Sequence, residues 1–203
     1  MLMPRQFSDH EQTDIERRLL EAGAAFFRTK GVRKTTIDEL ADAAGIGKGS
    51  FYKFFDTKEL LYFEILERKN EEIRKPLLES KVGESANPKA ALSKRLRSLL
   101  FSIHEEPLFR LIGDDAEFRA VVRRAPPERL RAHERLDQKF LDQMIERWRG
   151  PGARPKRDVL AARVSAAVLV ALRRDFFGER LFPIAIDAAV ESIVACLFGG
   201  RRR

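Results

Sequence analysis

Apolar residues recur at three- and four-residue spacing along almost the whole chain, and no stretch alternates convincingly with the two-residue period of a strand. The pattern predicts an all-α protein. Ile15, Leu19, Ala22, Phe26 and Phe27 form one face of a first helix over about residues 13–30, and Gly31 stands at its C-terminal end. Thr35 or Thr36 caps a second helix, TIDELADAA, with Asp38 and Glu39 in its first turn on the favourable side of the dipole. Its Ile37, Leu40 and Ala41 are expected to face inward. Gly45-Ile46-Gly47 makes the next turn, with Ile46 as its buried plug. A third helix of about two turns, KGSFYKFF, is marginal alone and needs anchors, for which Phe51 and Phe55 are suited. Asp56 and Thr57 both fit as caps of a fourth helix, which carries Leu60, Leu61, Phe63, Ile65 and Leu66 and extends to about Ser80. A loop follows at 81–88. Helical patterns then recur over about 88–104, 114–124, 127–149, 156–174 and 183–198, broken at Pro107, Gly113, Pro126-Pro127, Gly150-Pro151-Gly152 and Phe177-Gly178.

Residues 35–61, TTIDELADAAGIGKGSFYKFFDTKELL, therefore hold two short helices, a glycine-containing turn and the start of another helix. A helix–turn–helix reader of double-stranded DNA needs that arrangement. The first turn of such a recognition helix meets base edges in the major groove. Gly47, Gly49 and Ser50 are small enough to let the backbone approach DNA closely. Lys48 reaches a base edge or a phosphate, and Ser50 donates to or accepts from either. Tyr52 and Lys53 lie a turn later and suit phosphates. Lys58 stands in the first turn of the fourth helix, where free backbone N–H groups also attract phosphate.

Charge adds less than it first promises. The 39 Lys and Arg outnumber the 31 Asp and Glu, for a net charge of +8. Basic charge favours a polyanion but does not separate nucleic acid from a membrane surface. Up to residue 70 the two signs are about balanced, and the surplus lies beyond, including the Arg201–Arg203 tail, expected to be solvated and disordered. The DNA reading thus rests on local placement. Cys196 is the one cysteine, so no intramolecular disulfide forms, which fits a cytoplasmic protein. His10, His104 and His133 lack metal-ligand spacing, and no metal or cofactor is expected. The N-terminal segment lacks the apolar core of a signal peptide, and no window approaches ~18 uncharged apolar residues, so no membrane span is expected. No nucleophile–base motif or phosphate loop suggests an enzyme.

The same segment resembles the DNA-binding signature of the TetR family of transcriptional regulators. The matching pieces are the threonine pair, Ala-Gly-Ile-Gly-Lys-Gly, the Phe-Tyr-x-x-Phe core and Lys-Glu-x-Leu at the fourth helix. The resemblance covers about residues 13–66. It implies a homodimer, with a DNA-binding domain at 1–58 and a helical effector-binding and dimerisation domain at 59–203. Carried over residue by residue, it implies DNA contacts at Thr36, Ile37, Lys48, Gly49, Ser50, Tyr52, Lys53 and Lys58. Phe54 departs from the family, where a histidine is common, and no phosphate contact is carried over there.

The body beyond residue 70 offers two further expectations. Phe101, His104, Phe109, Phe118, Phe140, Met144 and Trp148 are large groups on converging helices. Together they suit a cavity for a flat apolar effector, with His104 and Arg110 as polar contacts; singly, each also suits ordinary core. Residues 159–172 and 184–198 are rich in alanine, which permits close helix approach. They fit either an intrachain core or a four-helix homodimer interface through about 157–174 and 183–198. The expected function is a homodimeric repressor released from a pseudo-palindromic operator by a small, largely apolar effector. The alternative is a constitutive or architectural DNA-binding protein without an effector.

Overall fold

A computed structural model describes residues 7–79 and 85–199. The Arg201–Arg203 tail and residues 81–84 of the expected loop lie outside the described residues. Among the described residues there are ten helices and no strand. In chain order they are α1 (Asp9–Lys34), α2 (Ile37–Ala43), α3 (Lys48–Phe51), α4 (Lys58–Leu78), α5 (Pro88–Glu105), α6 (Pro107–Gly113), α7 (Asp115–Arg124), α8 (Pro127–Trp148), α9 (Arg157–Leu172) and α10 (Arg174–Phe198). Two compact units divide them. The first holds the chain through Arg68 together with Asp114–Ala125; the second holds Lys69–Gly113 and the chain from Pro126 onward. Helix α4 contributes to both, and α7 belongs to the first although its neighbours in sequence belong to the second.

In the first unit, α1 starts four residues earlier than its apolar face suggests. Ser8 and Glu11 form a capping box that holds the polar first turn. Leu19 and Phe27 are fully buried, and Gly23 lets α1 close on α4, because a Cβ there would stand 2.8 Å from Ile65 Cδ1 and 3.0 Å from Leu61 Cδ2. The Phe27 ring meets Tyr62 edge-on at 5.7 Å.

The turn between α2 and α3 closes as a Schellman motif: Gly45 N–H donates to Asp42 O and Ile46 N–H to Ala41 O, both at 3.0 Å. Gly45 takes φ +70°, where a Cβ is disfavoured. The plug beneath this turn is Ala44, fully buried, whereas Ile46 is half-buried. Helix α3 is one turn rather than two. After Phe51 the chain tightens, with Lys53 N–H on Ser50 O and Phe54 N–H on Phe51 O. Phe51 is fully buried, and Phe55 packs half-buried against it at 6.2 Å.

In the second unit, α9 and α10 pair and pack against α5, with α6 and α8 against α9. Pro107 opens α6 rather than merely breaking α5, since proline suits the first helical position. Helix α10 begins ahead of Pro183, with a break at Gly178. By length and composition, α10 alone among the described helices is apolar enough to cross a membrane. Its Phe182, Ile186, Val190, Ile193 and Leu197 are instead buried in the unit's core. Trp148, at the end of α8, is 1 % exposed and donates its indole N–H to Leu77 O at 2.9 Å.

Two outcomes test this construction. Trp148→Phe leaves the Leu77 carbonyl without its donor and a gap beside it, and should cost about 2–4 kcal/mol in denaturant unfolding; a cost below ~0.5 kcal/mol would remove Trp148 as a core anchor. The second concerns the α2 cap. Lys30 Nζ donates to the Glu39 carboxylate at 2.5 Å, and Thr36 adds its backbone N–H and hydroxyl. The ammonium first, and then Thr36, hold the Glu39 carboxyl down from 4.5 to about 2. A carboxyl lowered on folding stabilises fully above its unfolded value and loses that contribution as pH falls toward its folded one. The stability gap between the wild type and Glu39→Gln should therefore be open at neutral pH and close between pH 4.5 and about 2. A gap that persists unchanged at pH 2 would separate Glu39 from the cap.

Candidate nucleic-acid interface

Helix α2 is fixed at its start by a reciprocal cap. The Thr36 hydroxyl accepts from Glu39 N–H at 3.2 Å, and the Glu39 carboxylate accepts from Thr36 N–H at 2.9 Å. Its Leu40 and Ala41 are fully buried, while Ile37 is half-buried and Thr36 exposed. Beyond the turn, α3 presents Lys48, Gly49 and Ser50. Lys48 and Gly49 are exposed and Ser50 half-buried.

The glycines flanking Lys48 carry a separate message. A Cβ at Gly47 or Gly49 would meet no atom of the protein within 4 Å. Gly47 has φ −73°, which any residue adopts. Nothing in the fold around them requires a missing side chain, and glycine inside a helix is a conformational cost. The open space beside them is available to an approaching backbone or base.

Each candidate cation has its own setting. Lys48 Nζ donates to Asp38 at 2.8 Å across the α2–α3 pair, and that carboxylate raises the lysine's pKa. Lys53 is exposed, with Nζ 5.3 Å from the centre of the Phe7 ring. Phe54 packs against the same ring at 6.1 Å, so the position where the family often has histidine serves local packing here. Lys58 is partly held within the fold. Its Nζ donates to Thr35 O at 2.5 Å and Arg33 O at 3.0 Å. Partial burial lowers its pKa. Lys58 thus gathers the carbonyls where α1 ends and gives way to α2. Tyr52 is 48 % exposed, its ring edge-on to Phe51 at 5.7 Å. Thr57, rather than Asp56, caps α4, its hydroxyl accepting from Leu60 N–H at 3.2 Å.

Thr36, Ile37, Lys48, Tyr52 and Lys58 line one concavity of about 690 Å³. Arg33, Glu59 and Arg124 line it too, and sequence reasoning did not name them. Arg33 just precedes the motif and Glu59 lies within its Lys-Glu-x-Leu piece. Arg124 arrives from α7, and no local spacing signals that it lies beside Glu59.

The effector candidates fall into separate groups. Phe140, Met144 and Trp148 share one buried stripe of α8, and the Arg74 guanidinium lies 4.4 Å from the Phe140 ring centre. Phe101 and His104 on α5 converge on Phe182, at 5.7 and 4.9 Å. Phe109 is buried on α6. Phe118 is not brought near them: it is 45 % exposed on α7, in the first unit. Arg110 is exposed. Among the described residues no group of three or more His, Cys, Asp or Glu could hold a metal ion.

Comparison with known proteins agrees with this geometry. The family model of bacterial regulatory proteins, tetR family, matches residues 19–65. The HTH-type transcriptional repressor KstR2 of Rhodococcus jostii is 50 % identical over 48 residues, 24 % of either chain. The chain spans roughly a quarter to a half of the length of the curated relatives it matches. Over nearly the whole chain the fold is similar to a TetR-family transcriptional regulator from Pectobacterium atrosepticum, with a TM-score of 0.63 at 21 % identity, covering 97 % of this chain and 100 % of that one. It is also similar to RolR solved with resorcinol, with a TM-score of 0.56 at 19 % identity, covering 96 % and 97 %. Both structural likenesses lie below 25 % identity and speak to the fold, whereas the helix–turn–helix match speaks to the sequence. Residues 19–65 thus match the tetR family of bacterial regulatory proteins, on a fold similar to that of TetR-family regulators.

Proposed function

We propose that the protein is a homodimeric transcriptional repressor that binds a pseudo-palindromic operator and leaves it when a small, largely apolar effector occupies the helical body. The observation that carries the DNA part is the face of α3: two glycines, free of any packing requirement, flank an exposed lysine on a helix held by a buried phenylalanine. Thr36, Ile37, Lys48, Gly49, Ser50, Tyr52, Lys53 and Lys58 are the DNA contacts in this reading, and Lys58 also shapes the start of α2 through the Arg33 and Thr35 carbonyls. A regulator that binds chromosomal DNA works in the cytoplasm.

The dimer reading is supported by the outer face of α9 and α10. A concavity of about 700 Å³ there is lined by Ala162, Ala166, Ala185, Ala188 and Ala189, together with Val159 and Val170. Around it Leu169 and Ile184 are each 62 % exposed. An apolar face with small residues at its centre suits a close, self-complementary helix pairing. Two reading units so joined would enter successive major grooves, their centres about 34–36 Å apart. An effector that binds the dimer with another separation would lower DNA affinity by the ratio of its affinities for the two states. RolR, solved with resorcinol, is a neighbour in fold whose ligand is of the flat class suggested by the aromatic body.

A second reading, constitutive DNA binding with no effector, is favoured by one observation. Met144 is fully buried, and Trp148 is buried with its N–H already satisfied, as in ordinary core. A thermal-shift survey of apolar aromatic compounds separates the two readings. A compound that raises Tm and weakens DNA binding supports the repressor with an effector, and a uniformly flat response supports the second.

Two variants test the main reading. Gly49→Ala should stabilise the protein by about 0.5–1 kcal/mol while weakening binding to duplexes selected from a random pool. Stability and affinity both rising would remove α3 from the interface. Leu169→Glu should shift sedimentation from dimer toward monomer; a dimer of unchanged affinity would exclude this face as the interface.

A further inference from the structure

We propose that Arg124, carried into the reading unit by α7, is a phosphate contact for duplex DNA. The inference rests on the DNA-binding reading above and extends the interface to a segment some sixty residues beyond the helix–turn–helix.

Helix α7 is fixed at both ends within the first unit. Near its start, the Glu117 carboxylate accepts from Arg33 N–H at 3.2 Å. At its end, Val121 and Ala125 are buried, and Ala125 N–H closes the helix on Val121 O and Val122 O. The backbone that carries Arg124 is therefore held. Its side chain lines the same concavity as Thr36, Lys48, Tyr52 and Lys58.

The charges around that concavity make Arg124 an outward-facing cation beside the exposed Arg33. Lys48 is held by the exposed carboxylate of Asp38, and Lys58 by two carbonyls. Arg124 Nη1 donates to Glu59 Oε1 at 2.7 Å. The two partners differ sharply in exposure: the arginine side chain is 63 % exposed and the glutamate side chain 4 %. The carboxylate is turned inward and the guanidinium outward. Glu59 takes one nitrogen and orients the group, while an arginine has five donors in a rigid fork that matches phosphate oxygens. A restrained guanidinium also loses less freedom when it binds a phosphate. Arg124 thus adds affinity without reading bases.

The structural alternative is that Arg124 only braces α7 against α4 through Glu59. Salt dependence separates the two, since each neutralised phosphate contributes about 0.9 to the slope of log K against log salt. The measurement is fluorescence anisotropy of the full chain with a mixed-sequence duplex of about 30 base pairs, for which phosphate contacts supply essentially all the binding. Arg124→Ala should lower the slope by about 0.9 per bound subunit and weaken binding about tenfold near 0.1 M salt. Arg124→Lys should keep the slope, and Glu59→Gln should bind at least as well as the wild type with an unchanged slope. If Arg124→Ala fails to fold, Arg124→Gln carries the same test, because its amide can still reach Glu59. An unchanged slope in the neutral variant, or an equal loss in Glu59→Gln, would overturn the proposal and leave a brace. A wild type that binds no duplex would overturn the DNA-binding reading as well; a wild type that binds while the variant keeps its slope would overturn this inference alone.

Discussion

The reading unit depends on holding a four-residue helix in place. One turn of helix has almost no stability of its own, because nucleation costs more than its few hydrogen bonds return. Every nearby feature answers that deficit. Phe51 fixes α3 from below with a fully buried ring. The Schellman turn at Gly45 sets how the chain leaves α2, and the Thr36–Glu39 box sets how it enters. Lys30 then ties the box to α1. Position is imposed on α3 from outside, so the glycines of its exposed face are left free of packing duties. That is why Gly47 and Gly49 can be chosen without regard to packing.

The same economy governs the cations. Lys58 completes the α1–α2 corner by donating to the Arg33 carbonyl in the last turn of α1 and to the Thr35 carbonyl between the helices. Lys48 shares its charge with Asp38 on an exposed surface, where such pairs are weak and readily exchanged for a phosphate. The excess positive charge of the chain lies mostly beyond residue 70. Arg124 shows how part of that excess reaches the reading unit, through a helix inserted between two segments of the other unit.

Local rules made much of this legible in advance. The glycine turn and the apolar faces of α1 and α4 follow from spacing and short-range hydrogen bonding, and each cap was narrowed to two neighbouring residues, Thr35 or Thr36 and Asp56 or Thr57. Composition and breaks likewise predicted the all-α class and five helical stretches beyond residue 87. Two kinds of feature were not legible. One was length: α3 stops after a single turn because its C-terminal half tightens around Phe51, and α6 begins at a proline that reads equally well as a break. The other was assembly. Phe118 was grouped with the aromatic residues of the body because it lies among them in sequence, but α7 packs with the first unit and leaves it exposed there. Periodicity identifies which face of a helix is apolar without identifying what that face meets.

That distinction also bears on α9 and α10. Each is apolar around most of its circumference, so neither shows a sharp amphipathic stripe. One side of the pair is accounted for within the chain: Leu160, Ala167, Ala171, Ile186, Val190 and Leu197 are buried. The other side exposes Leu169, Leu181 and Ile184 around a floor of alanines. A solvated face has no need of a run of alanines bordered by leucine and isoleucine. Alanine lets helix axes approach, and the larger residues at the rim supply the buried area. The two faces of this pair thus answer different demands, one met by the chain itself and the other suited to a second copy.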